Sequence, residues 1–312
     1  MMTIAFVFPG QGSQSLGMMA ELATAHTKVE ATFAEASDVL GYDLWQLVQE
    51  GPEAELNKTT KTQPALLASS VAAWRVWNEM SQLQPVMMAG HSLGEFSALV
   101  CSNALSFRDA IQLVADRGAY MQDAVPSGTG SMAAVLGLED SQIEGVCEQA
   151  AQGQVVSAAN YNSSGQVVIA GHKEAVERAV VLAKEAEAKR SVILPVSVPS
   201  HCALMQKAAD QFAERLDTVD FEQPIIPVLH NVDATERSNV SEIKLALQDQ
   251  LCQPVRWVDT IQEMVNQNVT TVVECGPGKV LSGLIKRIDR SINVLPIFDP
   301  ASLEKALGEL TD

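Results

Sequence analysis

The stretch VMMAGHSLGEFSAL, residues 86–99, decides the fold of this chain. Its apolar first half predicts a buried strand, and a helix begins directly after a G-x-S-x-G pattern formed by Gly90, Ser92 and Gly94. Glycines remove side chains where strand and helix approach closely, and the tight turn presents the serine hydroxyl at the start of the helix. This order predicts a nucleophile elbow, with the backbone N–H of Leu93 directed at a developing oxyanion. The same pattern also suits a serine that only caps a helix.

Strand-like and helix-like stretches alternate on both sides of this turn. TIAFVFPG (3–10) and TTVVECGPG (270–278) predict two further buried strands, and residues 65–80 and 106–124 have helical spacing. This alternation favours an α/β architecture with a mostly parallel sheet. We expect residues 1–127 and 198–312 to form an α/β-hydrolase-like large subdomain. Residues 128–197 follow a β-α-β-β-α-β order, which predicts a small ferredoxin-like subdomain.

The charge of the chain disfavours several classes of partner. The 312 residues carry 38 acidic and 21 basic side chains, a formal net charge of −17, which disfavours nucleic acids and anionic membranes as partners.

The five cysteines are scattered without metal-ligand spacing, so no metal site is expected. The beginning of the chain does not resemble a signal peptide, and no run approaches the roughly 20 apolar residues of a membrane span. We therefore expect a cytoplasmic protein.

A nucleophilic serine needs a base, and His201 is the candidate among five histidines. It follows VPS (198–200), so that Ser200 could cap a helix beginning HCALMQKAADQFAERL. A histidine in the first helical turn lies at the positive end of the helix dipole, which lowers its pKa and keeps the imidazole neutral. The alternative is a structural histidine with no catalytic role.

An arginine interrupts an apolar helix face. In the helix predicted for residues 106–124, one face carries Ala110, Leu113, Val114, Arg117 and Met121. A desolvated arginine is costly unless it is paired, and its planar fork suits a carboxylate. Arg117 therefore pairs with an internal acid or binds a carboxylate of the substrate.

Eight separated stretches resemble one family, the malonyl-CoA:acyl carrier protein transacylases of type II fatty acid synthesis. The similarity runs in order along nearly the whole chain. The stretches are FVFPGQGSQ (6–14), TQPALLA (62–68), GHSLGEFSAL (90–99), DRGAYMQ (116–122), NYNSSGQVVIAG (160–171), VPSHCALM (198–205), QPVRW (253–257) and ECGPGKVL (274–281).

The resemblance implies an [acyl-carrier-protein] S-malonyltransferase with a ping-pong reaction. Ser92 would attack the malonyl thioester of malonyl-CoA, and the phosphopantetheine thiol of holo acyl carrier protein would then take the malonyl group. It further implies that His201 is the general base and acid. The backbone carbonyl of Gln250 would orient that histidine in place of an acidic side chain.

The resemblance also assigns substrate contacts. Gln11 and Leu93 would supply the two oxyanion-hole N–H groups, and Arg117 would bind the malonyl carboxylate. Coenzyme A enters only as the thioester substrate, so no cofactor is expected. We expect a monomer.

Several alternatives stay open from the sequence. The same elbow would serve a serine thioesterase or another hydrolase, and the fold could be a carrier-binding module without catalysis. Another extender such as methylmalonyl is also possible, because the shaping of the acyl pocket by Ser200 and Met121 does not fix how much bulk it tolerates. Asn160 and Asn162 are candidates for lining the cleft. The basic residues are either a carrier-docking patch or ordinary surface: Lys189, Arg190, Lys286, Arg287 and Arg290.

Overall fold

A computed structural model describes residues 3–126, 128–196 and 198–311 of the chain. Residues 127 and 197, at which two of the predicted segments end, lie outside the described residues, and the exact subdomain limits stay a prediction. The strands are β1 (Ile4–Phe8), β2 (Met87–Gly90), β3 (Gly130–Leu136), β4 (Val156–Ser163), β5 (Gln166–His172), β6 (Arg190–Ile193), β7 (Val228–Leu229), β8 (Thr271–Cys275) and β9 (Asn293–Ile297).

The helices lie between and after these strands. They are α1 (Ala20–Ala25), α2 (Lys28–Leu40), α3 (Leu44–Glu50), α4 (Glu53–Leu56), α5 (Thr59–Met80), α6 (Gly94–Cys101), α7 (Phe107–Asp123), α8 (Asp140–Ala151), α9 (Lys173–Glu185), α10 (Gln206–Asp217), α11 (Val240–Asp249), α12 (Trp257–Asn266), α13 (Val280–Ile288) and α14 (Pro300–Thr311). A 3-10 turn at Ala203–Met205 precedes α10.

The large sheet is parallel and has the order β7-β2-β1-β8-β9, which confirms the predicted α/β fold class. All residues of β1, β2 and β8 are buried, as in a sheet covered by helices on both faces. On one face Phe6 meets Trp74 and Trp77 of α5 edge-on, at ring-centroid distances of 5.1 and 5.3 Å. On the other, the apolar side chains of β1 pack with Trp257 and Ile261 of α12.

The second sheet is antiparallel, with the order β4-β5-β3-β6. Helices α8 and α9 pack on one of its faces, which is the arrangement predicted as ferredoxin-like. Met132 and Ala170 on the opposite face pack around Cys202, so this face is turned toward the neighbourhood of His201. The N–H of Val255 donates to Ala159 (2.8 Å), and that of Tyr161 donates to Val255 (2.9 Å), which ties β4 to the large part.

Helix α5 begins six residues earlier than the apolar spacing predicts. Its first turn contains Thr59, and Pro64 lies inside the helix although it lacks an N–H. A Cβ on Gly118 of α7 would lie 2.9 Å from the carbonyl oxygen of Thr59. This close packing against α7 stabilises a helical turn that the sequence pattern alone does not indicate.

The carboxylate of Glu274 caps α13 from the end of β8. It accepts hydrogen bonds from the N–H of Leu281 (2.9 Å), the N–H of Ser282 (2.7 Å) and the Ser282 hydroxyl (2.6 Å). An acidic side chain at a helix N-terminus satisfies donors that the helix leaves unpaired. The Gly-Pro-Gly turn at 276–278 leads from β8 to α13 and brings the start of this helix to the Glu274 carboxylate.

Candidate active site

The nucleophile elbow predicted between β2 and α6 is present. Ser92 adopts a left-handed backbone conformation with a φ of 51°, which is strained for a residue with a side chain. A Cβ on Gly90 would lie 1.8 Å from the backbone carbon of Gly94, and one on Gly94 would lie 2.0 Å from the carbonyl oxygen of Phe8. Both glycines are required, because strand and helix approach more closely than any side chain permits.

Ser92, His201 and Gln250 form a hydrogen-bonded chain. The Oγ of Ser92 lies 2.8 Å from Nε2 of His201, and Nδ1 of His201 lies 2.6 Å from the carbonyl oxygen of Gln250. A carbonyl can only accept, so Nδ1 carries the proton and Nε2 is left to accept from the serine hydroxyl. This arrangement can activate the serine without an acidic side chain.

The prediction that a helix begins directly after Ser200 is wrong. Helix α10 begins at Gln206, and His201 lies in the preceding turn with a φ of 62°. Burial lowers the pKa of His201 to about 3, and the positive charge of Arg117 contributes in the same direction. The base is therefore kept neutral by desolvation and a neighbouring cation rather than by a helix dipole.

Asn231 and Glu95 hold the elbow from the interior, and sequence reasoning missed both. The Ser92 N–H donates to Oδ1 of Asn231, whose Nδ2 donates to the Gly90 carbonyl, both at 2.6 Å. Oε2 of Glu95 accepts from the Asn231 N–H (2.9 Å), and Oε1 lies 2.7 Å from Nδ1 of His230. The sequence signal that could have indicated Glu95 is an acidic residue in the first turn of the largely apolar helix α6.

The Leu93 and Gln11 backbone N–H groups remain free near the nucleophile. Within the described residues, neither N–H donates a hydrogen bond. Both residues line the same cavity as Ser92. This is compatible with the predicted oxyanion-hole role, in which donors wait for a charge that develops during the reaction.

Arg117 is buried without a carboxylate partner. Its Nη1 donates to Oε1 of Gln63 and its Nη2 to Oε1 of Gln250, both at 2.9 Å, while its Nε has no partner among the described residues. The guanidinium also lies 5.5 Å from the centroid of the Phe96 ring. Burial lowers its pKa to about 10, so it stays charged at neutral pH. Within the ranges the structure describes, none of the ion pairs includes Arg117, so the internal pair weighed from the sequence is not formed. Glu95 acts on Arg117 only from a greater distance, and its negative charge raises the Arg117 pKa.

One cavity of about 320 Å³ collects the predicted site residues. Ser92, His201, Gln11, Leu93 and Arg117 line it, whereas Gln250 lies behind it. Further lining residues include His91, Met121, Asn160, Asn162 and Ser200. A larger hollow of about 710 Å³, beside Arg75 and Phe107, shares no residue with this cavity.

The basic residues considered for carrier docking do not line the Ser92 cavity. Lys189 and Arg287 instead line a separate hollow of about 380 Å³. Among the described residues there is no cluster of three or more histidine, cysteine or acidic side chains placed to hold a metal. Nor does any helix in those ranges combine the length and apolarity needed to cross a membrane.

A family model described as acyl transferase domain matches residues 5–305. The chain belongs to the acyl transferase family. This acyl transferase is 55% identical over 307 residues to the malonyl CoA-acyl carrier protein transacylase of Escherichia coli K12, covering 98% of this chain and 99% of that protein.

Solved structures of acyl transferases superpose on the whole chain. The malonyl CoA-acyl carrier protein transacylase of Coxiella burnetii has a TM-score of 0.98 at 50% identity, covering 100% of this chain and 98% of that one. A malonyl-transacylase solved in complex with its type II PKS acyl-carrier protein has a TM-score of 0.97 at 56% identity, covering 98% and 99%. The family expected from the sequence motifs is confirmed.

Proposed function

We propose that this acyl transferase moves a malonyl group from malonyl-CoA to the phosphopantetheine thiol of acyl carrier protein through an ester on Ser92. One observation carries the choice of acyl group. Arg117 faces the cavity of the Ser92–His201 pair as a buried cation whose hydrogen-bond partners are neutral amides. Glu95 acts on this cation only from beyond Gln250, and a substrate carboxylate would supply a directly paired counter-charge.

In the first half-reaction, Ser92 attacks the thioester carbonyl of malonyl-CoA. Its hydroxyl proton passes to Nε2 of His201, 2.8 Å away. The N–H groups of Gln11 and Leu93 stabilise the oxyanion. As the tetrahedral intermediate collapses, the carbon–sulfur bond breaks, and His201 returns the proton to the coenzyme A thiolate.

In the second half-reaction, the carrier thiol replaces coenzyme A. It gives its proton to His201 and attacks the ester carbonyl, and the same oxyanion donors act again. The serine oxygen leaves and takes the proton back from His201, so the enzyme is regenerated. His201 is neutral at the start of both halves because burial holds its pKa low.

The relatives support the donor and the acceptor. The E. coli protein is named for malonyl-CoA and acyl carrier protein, and the complex pairs a malonyl-transacylase with its carrier. The proposal includes no cofactor beyond the coenzyme A thioester. The monomeric state, the cytoplasmic location and the carrier-docking role of the basic residues remain predictions.

Intact-mass spectrometry tests this function. Malonyl-CoA alone should add one malonyl mass to the native protein and none to a Ser92→Ala variant. Holo carrier protein should then remove the adduct and carry it. An adduct that water removes as fast as the carrier does would instead identify a thioesterase. Offering methylmalonyl-CoA in parallel measures how much bulk the acyl pocket accepts.

A further inference from the structure

Arg117 is held by the side chains of two glutamines, and neutral amides are unusual partners for a buried arginine. Gln63 is 1% exposed and Gln250 is fully buried. A buried guanidinium ordinarily pairs with a carboxylate, which cancels its charge. An amide oxygen can hold the same N–H groups and leave the positive charge in place.

The Gln250 amide has only one satisfactory orientation. Its Nε2 donates to Oε2 of Glu95 (2.8 Å) and to the Ser92 carbonyl (3.1 Å). A flipped amide would place its oxygen against these two acceptors and its NH₂ against the guanidinium of Arg117. Glu95 therefore fixes the Gln250 oxygen on Arg117, while Gln250 keeps the Glu95 carboxylate one side chain away from that cation.

The Gln63 amide lies on the other branch of the guanidinium. Among the described residues, its Nε2 donates only to the sulfur of Met121, at 3.5 Å, a weak acceptor. Gln63 lines the same cavity as Ser92 and His201, but its side-chain hydrogen bonds in the described part of the chain are those with Met121 and Arg117. A change at Gln63 therefore alters the surroundings of Arg117 without removing a hydrogen bond of the nucleophile or the base.

We propose that Gln63 and the side chain of Gln250 are positioning residues that set the preference for acyl groups bearing a carboxylate, by holding Arg117 through neutral oxygens. This rests on the proposed function. The role is separate from the Gln250 backbone carbonyl, which contacts His201. The two anchors occupy one N–H on each terminal nitrogen, and within the described residues the other three guanidinium N–H groups have no hydrogen-bond partner.

Gln63→Glu is the sharpest test, because it is nearly isosteric and places a carboxylate on Arg117. The internal ion pair would compete with malonyl, so kcat/KM for loading Ser92 from malonyl-CoA should fall about 100-fold. Loading from acetyl-CoA, which has no free carboxylate, should stay within about threefold, since one hydrogen bond to Arg117 is exchanged for another and the hydrogen bonds of Ser92 and His201 are kept.

Gln250→Met is the second variant, and it keeps the backbone carbonyl on His201. The substitution removes the anchor on Arg117 and also the two hydrogen bonds that Nε2 donates to Glu95 and to the Ser92 carbonyl. Acetyl loading should therefore fall about threefold, and malonyl loading should fall about tenfold further than acetyl loading, because only malonyl depends on the anchored Arg117. The same two substitutions at exposed Gln253 are the controls and should leave both rates unchanged. Retained acetyl loading shows that each variant is folded with a working serine.

The outcomes separate the two proposals. If the native protein loads no malonyl, the proposed function is overturned, and this inference with it. If the native protein loads malonyl but both variants lose malonyl and acetyl loading in parallel, only the inference is overturned. An unchanged malonyl-to-acetyl ratio in Gln63→Glu also overturns the inference alone.

Discussion

The rate at which Ser92 is loaded should not depend on pH in the range where free histidine titrates. Burial lowers the pKa of His201 to about 3, against an ordinary value of about 6.5. At about pH 5 an ordinary histidine is only about 3% neutral, so a rate that needs the neutral base would fall about 30-fold between pH 8 and pH 5. With the lowered pKa, about 99% of His201 stays neutral at pH 5.

Quenched-flow intact-mass measurements of malonyl-Ser92 formation can follow this rate from pH 8 to pH 5. We expect kcat/KM to change less than about twofold, because both the base and the malonyl carboxylate keep their ionisation state. A 30-fold decline with an apparent pKa near 6.5 would refute the burial argument.

The same pKa makes a thermodynamic prediction of definite sign. The folded protein binds a proton at His201 more weakly than the unfolded chain does. The contribution of His201 to the free energy of unfolding is therefore fully present above about pH 6.5, where the imidazole is neutral in both states. It falls by about 1.4 kcal/mol per pH unit as the pH drops toward 3. Urea unfolding at pH 7.5 and pH 5 should show the native protein losing about 2 kcal/mol relative to His201→Gln. A difference that does not change with pH would contradict the assigned pKa.

Three further substitutions test other parts of the structure. Arg117→Met should lower malonyl loading by about 100-fold or more, the scale of a lost buried ion pair, and leave acetyl loading nearly unchanged. The control is Arg108→Met, at an exposed position of the same helix. Equal losses of malonyl and acetyl loading would exclude carboxylate binding by Arg117. Asn231→Ala should slow malonyl and acetyl loading together by about tenfold, because two hydrogen bonds that hold the strained elbow are lost; unchanged rates would show that the elbow holds itself. Glu274→Ala should lower the free energy of unfolding by about 3 kcal/mol in urea titrations, and Glu274→Gln by less, because α13 loses a charged cap; a loss of less than about 0.5 kcal/mol would contradict this.

The elbow could be predicted from the sequence because its requirements are local. Gly90 and Gly94 are needed where strand meets helix, and a run of five residues carries that information. The position of Arg117 on an apolar helix face follows from helical spacing in the same way. The alternation of strands and helices is likewise enough to predict the fold class and the β-α-β-β-α-β order of elements along the small part of the chain.

The remaining parts of the site depend on contacts that no local pattern encodes. The sequence predicts a neutral His201, but the expected cause is wrong, because the residue lies before α10 and its pKa is lowered mainly by burial in the folded protein. Glu95 and Asn231 are 136 residues apart in the chain. The sequence also does not indicate that the partners of Arg117 are neutral amides. Many acidic residues could have paired with it, and only the packing of the folded chain decides which side chains reach it.

The central position of β1 affects how the protein can be made. Residues 4–8 pair with β2 on one side and with β8, residues 271–275, on the other. A chain leaving the ribosome therefore carries one unpaired edge of an apolar strand until residues 271–275 have been synthesised. Exposed strand edges recruit other chains, so we expect the growing polypeptide to be prone to aggregation until β8 has been made. A product cut short before Thr271 should accumulate as aggregate rather than as a partly active enzyme.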